Sequence, residues 1–162
     1  MGSTRLGPSN FAGHWLVLVF WADWCGPCHA EQPGLSALAS RLSPKVAFLG
    51  VDYNDDRAAA ASFMGYYHVP YPSLFDPGGR VMALYAVPTI PYFIVISPQG
   101  RIRFRFQGEL GASSLELELR RLGAIPAQLR VPSGTTSKSK ARAEGHLGTL
   151  ESDLGRGQAP PA

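Results

Sequence analysis

Hydrophobic and polar positions alternate along this chain in blocks that change period. The uninterrupted apolar run Trp15-Leu16-Val17-Leu18-Val19-Phe20-Trp21 leaves no face for water, which predicts a central strand covered on both sides. Beyond it Ala30, Leu35, Leu38, Ala39 and Leu42 recur at helical spacing. They predict a helix to about Arg41, bent where Pro33 removes a backbone N–H. Ser43-Pro44 closes that unit, and Val46 to Val51 reads as a second, parallel strand. Asn54-Asp55-Asp56 offers an N-cap for a helix from Arg57 to Met64, so the order implies a right-handed crossover.

From Gly65 to Val87 the pattern is irregular, with a turn at Asp76-Pro77-Gly78-Gly79 and room for one short helix between Arg80 and Tyr85. Tyr92 to Ile96 and Arg101 to Phe106 then predict an antiparallel hairpin around Ser97-Pro98-Gln99-Gly100. Ser113-Ser114-Leu115-Glu116 matches a capping box opening a last helix, with Leu115, Leu119 and Leu122 on one side and Gly123 as its stop. After about Leu129 bulky residues become sparse. The expected organisation is one domain over residues 1–129, with an irregular segment at about 65–87, and a disordered tail over 130–162.

Composition adds little. The chain has 162 residues, 45% hydrophobic and 17% charged, with a net charge of +3, which suits a soluble core and gives no strong basic field. Arg101, Arg103 and Arg105 alternate with Ile102, Phe104 and Phe106, as on an edge strand with one wet face. No nucleic-acid motif accompanies them, so no nucleic-acid partner is expected. Met1 to Pro8 contains no secretory apolar region, and the first apolar run is shorter than the roughly 20 residues of a membrane span.

The chemistry concentrates in Trp24-Cys25-Gly26-Pro27-Cys28, which holds both cysteines of the chain. At a strand-to-helix junction the first thiol meets the unpaired N–H groups and positive dipole of a helix end. That lowers a cysteine pKa from about 8.5 towards about 7. Cys25 is therefore the candidate nucleophile and Cys28 the resolving thiol, with Gly26 and Pro27 setting the turn between them. The blander readings are a structural disulfide or half of a metal site. Zinc needs four ligands, and His14, His68 and His146 supply no second paired spacing, so no metal is expected. Cys25-Gly26-Pro27-Cys28-His29 also satisfies the C-x-x-C-H pattern of c-type haem attachment, with His29 expected as an exposed side chain of the first helical turn.

On these residues the chain resembles thioredoxin, and more closely the TlpA/ResA-like bacterial thiol-disulfide oxidoreductases, over about Asn10 to Leu122. Pro33 matches the kink proline of that fold, and Ile90-Pro91 its cis-proline loop. The resemblance implies an α/β thioredoxin fold with a four-stranded mixed sheet and an insertion before the cis-proline strand, which is a candidate partner-selecting surface unless its tyrosines only cover the core. It implies that Pro91 faces the disulfide and that Ile90, with Trp24, Gly26 and Pro27, contacts substrate. Thioredoxin carries a buried Asp where this chain has Val19, and the resemblance assigns proton traffic instead to Glu31, one helical turn beyond Cys28. It also argues against the haem reading, although branches of the family act on apocytochromes during cytochrome c maturation.

The expected function is disulfide reduction in partner proteins by a Cys25/Cys28 couple, recharged by an upstream thiol reductant, with no further cofactor and with the chain monomeric. The resemblance implies work outside the cytoplasm, where family members usually carry a signal or anchor; none is read in Met1 to Pro8, and the expected compartment stays open among a shortened sequence, a misassigned start and a cytoplasmic variant. The alternatives are a peroxiredoxin-like peroxidase, which would need a Thr-x-x-Cys site, and a non-catalytic thioredoxin-like binding module.

Overall fold

The structure is a computed structural model and describes residues 7–127; the predicted tail over 130–162 lies outside them. A 3-10 turn, Pro8–Phe11, leads into β1 (Trp15–Trp21), α1 (Gly26–Leu42), β2 (Val46–Tyr53), α2 (Arg57–Tyr66), β3 (Ser73–Asp76), α3 (Arg80–Leu84), β4 (Tyr92–Ile96), β5 (Ile102–Gln107) and α4 (Ala112–Arg121). The sheet order is β3-β2-β1-β4-β5. β1 and β3 run parallel to β2, while β4 runs antiparallel to β1 and to β5. This is the thioredoxin fold.

The sheet has five strands, not the expected four. The added strand, β3, lies in the segment read as irregular, where four residues between Pro72 and Pro77 are too few to display a period. Its ladder to β2 pairs Gly50 with Ser73 and Tyr53 with Asp76. Asp76 then turns its side chain onto the N–H groups of Val81 and Met82 at 3.0 and 3.1 Å, satisfying the start of α3.

Strand alternation divides the core. On one face Val17, Val19, Phe48, Phe93 and Val95 meet Leu35 and Leu38 of α1 and Leu115 and Leu119 of α4. On the other, Leu16, Leu18, Phe20, Val51 and Ile94 meet Met82 and Val87. Pro33 sits inside α1 without ending it. β5 is the sheet edge expected from its alternation, with Phe104 and Phe106 half-buried.

The capping box at Ser113 is not used. α4 begins at Ala112, two residues earlier than a Ser113 cap would start it, and its N-cap is Gly111, whose φ of +72° suits a residue without a side chain. Glu116 instead reaches across to α1, where Arg41 binds it through both nitrogens at 2.9 and 2.5 Å, and Arg120 joins at 2.5 Å. The hydrogen-bonded Arg41 and Arg120 guanidiniums, working against partial burial, pull the Glu116 carboxyl down to about 2. No helix among the described residues is long and apolar enough to cross a membrane.

Candidate active site

Parallel strands β1 and β2 end at the same level, so their C-terminal ends and the loops beyond them form one rim, where sites commonly gather in α/β sheets. β1 delivers Ala22-Asp23-Trp24-Cys25 to that rim. Cys25 is the N-cap of α1 with extended backbone, and its Sγ accepts from the Cys28 N–H at 3.3 Å. Cys25 and Cys28 are joined as a disulfide across a Cα separation of 5.3 Å. An Sγ already receiving an N–H at a helix start is where negative charge on sulfur is best supported.

The disulfide is packed rather than open. Cys25 is 4% exposed and Cys28 3%. They share a cluster with Trp21, Ala22, Ala60 and Phe63, and Ile90 packs against it. The Ile90–Pro91 peptide is cis and Pro91 is buried, so this loop borders the sulfurs. Gly26 and Pro27 are exposed in the first turn. Trp24 is 56% exposed, donates Nε1–H to the Asn54 carbonyl at 3.1 Å and sets its ring at an angle to Tyr53. Trp21 differs from Trp24 in being buried, stacked on Phe63 at 4.4 Å and donating to Ser73 Oγ at 3.0 Å. Cys25, Cys28 and Ile90 thus share one cluster, with Trp24, Gly26, Pro27 and Pro91 adjoining them in sequence, while the Glu31 carboxylate turns towards the loop before α4.

Glu31 is buried. Its Oε1 accepts from the Gly111 N–H at 2.7 Å, and Oε2 has no partner among the described residues. Burial pushes its pKa up, opposed by hydrogen bonds from Gly111 and Leu110 and aided by Glu109.

Two residues at this rim escaped the sequence reading. His29 is not a free surface side chain: Nε2 lies 2.6 Å from the Asp23 carbonyl, Nδ1 lies 2.9 Å from the Tyr67 hydroxyl, and the ring edge meets Phe63. It ties the loop before Cys25 to α2. Asp52 is the second. It stands opposite Trp21 in the β1–β2 ladder, is 2% exposed, and neither of its oxygens has a hydrogen-bond partner among the described residues. An acid at the end of a strand otherwise apolar was the available signal. Among the described residues no cluster of His, Cys, Asp or Glu is placed to hold a metal ion.

The AhpC/TSA family model matches residues 3–105. The thiol-disulfide oxidoreductase ResA of Bacillus thuringiensis subsp. konkukian (strain 97-27) is 28% identical over 114 residues, which are 70% of this chain and 66% of that protein. A thiol:disulfide interchange protein DsbE homolog of Paracoccus denitrificans (strain Pd 1222) is 40% identical over 95 residues, 58% of this chain and 51% of that protein. The chain therefore spans less than two thirds of the length of these curated relatives. Among solved structures, a secreted Mycobacterium tuberculosis disulfide oxidoreductase homologous to E. coli DsbE superposes with a TM-score of 0.64 at 31% identity, over 74% of this chain and 88% of that one.

Proposed function

The chain belongs to the AhpC/TSA family, and from that footing we propose that it is a thiol-disulfide oxidoreductase that reduces disulfides in partner proteins. The observation that carries this reading is the Cys25–Cys28 disulfide at the start of α1, with Cys25 capping the helix and the Ile90–Pro91 loop beside it. In the reduced protein the Cys25 thiolate attacks one sulfur of the partner's disulfide. A mixed disulfide forms and the partner's other sulfur leaves as thiolate. Cys28 then loses its proton and attacks Cys25 Sγ, closing the bond seen here and releasing the partner's second thiolate. Two electrons pass from the dithiol to the partner, and an upstream thiol reductant must return them.

Glu31, one turn along α1 from Cys28, is the proposed acceptor of the Cys28 proton, directly or through one water. A carboxyl held above its ordinary range by burial releases and takes protons nearer neutrality than an exposed one. Backbone groups of Ile90, with Trp24, Gly26 and Pro27, form the proposed contact surface for the partner. The compartment proposed is outside the cytoplasm, in keeping with the secreted Mycobacterium tuberculosis relative. Apocytochromes carrying an oxidised C-x-x-C-H pair are the substrate class that the TlpA/ResA-like resemblance suggests. The test is turnover: with dithiothreitol as electron source the protein should accelerate insulin reduction, and Cys25→Ser should abolish the acceleration. Wild-type protein that leaves the uncatalysed rate unchanged would refute the reading.

A further inference from the structure

The exchange chemistry above makes no use of Asp52, although this carboxyl is buried at the rim that carries the disulfide. The groups facing it come from three elements. Asp55 reaches it from the β2–α2 loop, Asp23 from the β1–α1 loop, and Arg57 from the first residue of α2. From β1 the neighbour is Trp21, whose indole N–H is spent on Ser73 Oγ of β3. Arg57 lies over the Phe75 ring at 4.1 Å, and it gives Asp52 no hydrogen bond.

Asp55 has the opposite environment. Its Oδ2 accepts from the Asp23 N–H at 2.6 Å and its Oδ1 from the Asp56 N–H at 2.8 Å. Both of its oxygens are thus supplied with donors. Two adjacent carboxyls, one supplied with donors and one buried without any, do not both ionise cheaply. A proton on Asp52 supplies the missing donor, because its hydroxyl can then bond to Asp55. Burial, reinforced by Asp55 and Asp23 and opposed by Arg57, pushes Asp52 up to about 7. A cleft of about 180 Å³ beside Asp52, lined by Trp21, Arg57, Ala60, Met64 and Ser73, gives that proton a way to and from solvent.

What Asp55 holds is the approach to the nucleophile. Its bond to Asp23 N, the bond from Trp24 Nε1 to Asn54 O, and the His29 contact to Asp23 O are the ties of the two residues, Asp23 and Trp24, that lead into Cys25. We propose that Asp52 and Asp55 share one proton, and that this proton fixes the Asp23-Trp24-Cys25 loop, making Asp52 a positioning residue for the Cys25 thiol. This rests on the dithiol-exchange reading. Loss of the proton sets three carboxylates against one another, loosens Asp55 from Asp23 and adds negative charge near the forming thiolate. Cys25 then ionises less readily.

The test isolates Cys25 in a Cys28→Ser background. Its alkylation rate by iodoacetamide is followed from about pH 5 to 9, a span bracketing carboxyl and thiol ranges. The profile should show the thiol titration and a second inflection near 7. Asp52→Asn in the same background should remove only the second inflection, because its amide donates to Asp55 at every pH. Asp52→Ala, which offers no donor, should not reproduce the Asn profile. Coincident profiles for Asp and Asn overturn the proposal. A readout on unmutated, oxidised protein stands apart from variant folding: with 13C-labelled aspartate, one carboxyl resonance should titrate near 7. Titration of every aspartate below about pH 5 overturns the shared proton. Failure of the wild type to reduce insulin would overturn the exchange reading instead, since the carboxyl titration does not depend on it.

Discussion

Replacing Gly50 by alanine tests how the wall of the disulfide site is built. Gly50 lies within β2, where a glycine normally weakens a strand. Here its missing side chain is the space that Trp21 and Ser73 occupy. A Cβ on Gly50 would stand 2.5 Å from Ser73 Oγ, 2.8 Å from Trp21 Nε1 and 3.0 Å from Ser73 Cβ. Neither neighbour can yield freely, because Trp21 is stacked on Phe63 and its N–H is bonded to that same Ser73 hydroxyl. Overpacking of this kind costs about 1–3 kcal/mol. A buried indole N–H left without its acceptor adds about 1–3 kcal/mol. Alanine's lower chain entropy offsets about 0.5–1 kcal/mol, so mid-range values of these three contributions put the net loss at about 2–4 kcal/mol. For a domain of this size that is a fall in Tm of about 6–20 °C, read by thermal melting of the oxidised protein with a change in tryptophan fluorescence. Adding Ser73→Gly should recover part of the loss, since two of the three close approaches belong to Ser73. A Tm within about 2 °C of wild type, less than about 1 kcal/mol, would refute the argument that Trp21 crosses Gly50.

Two further outcomes follow from the buried carboxyls. Asp52 has a folded pKa of about 7 against an ordinary 3.8, so between those values the native state holds a proton that the unfolded chain has lost. Stability should fall as pH rises through that window and level off above it. Asp52→Asn escapes the fall, so in urea denaturation its advantage over wild type should grow from pH 5 to pH 8 by up to about 2–3 kcal/mol; parallel pH profiles would count against a buried, proton-holding Asp52. Glu31→Gln preserves an oxygen for the Gly111 N–H and removes only the titration. It should leave mixed-disulfide formation near the wild-type rate and slow its resolution, with an altered pH profile in stopped-flow fluorescence; unchanged resolution would make Glu31 a structural tie between α1 and the α4 loop.

The parts of this fold that were legible in sequence are those set by local pattern. β1, α1 and the Cys25–Cys28 turn follow from an apolar run, a helical period and a helix start, all contiguous. β3 was not legible, because it is short, flanked by prolines, and held by its ladder to β2 rather than by its own propensity. Asp52 was lost for a related reason. The apolar run that predicts β2 ends at Val51, one residue short of Asp52. In the structure pairing with β1 and β3 carries β2 on to Tyr53 and takes Asp52 inside. Glu116 misled in the opposite way. Its spacing from Ser113 is right for a capping box, but Arg41 on another helix competes for the same carboxylate. His29 and Glu31 are both held by residues far along the chain, Tyr67 and Gly111, which no local period announces.

The most direct measurement of the central claim is capture of the mixed disulfide. Reduced Cys28→Ser protein is incubated with a protein disulfide substrate, quenched in acid, and analysed by mass spectrometry after digestion. The account predicts a covalent adduct joining Cys25 to a partner cysteine, persisting because the resolving thiol is gone, and no accumulating adduct with wild type or with Cys25→Ser. Absence of any Cys25 adduct, with the Cys25 thiol recovered free beside intact substrate, would contradict thiol-disulfide exchange at this site.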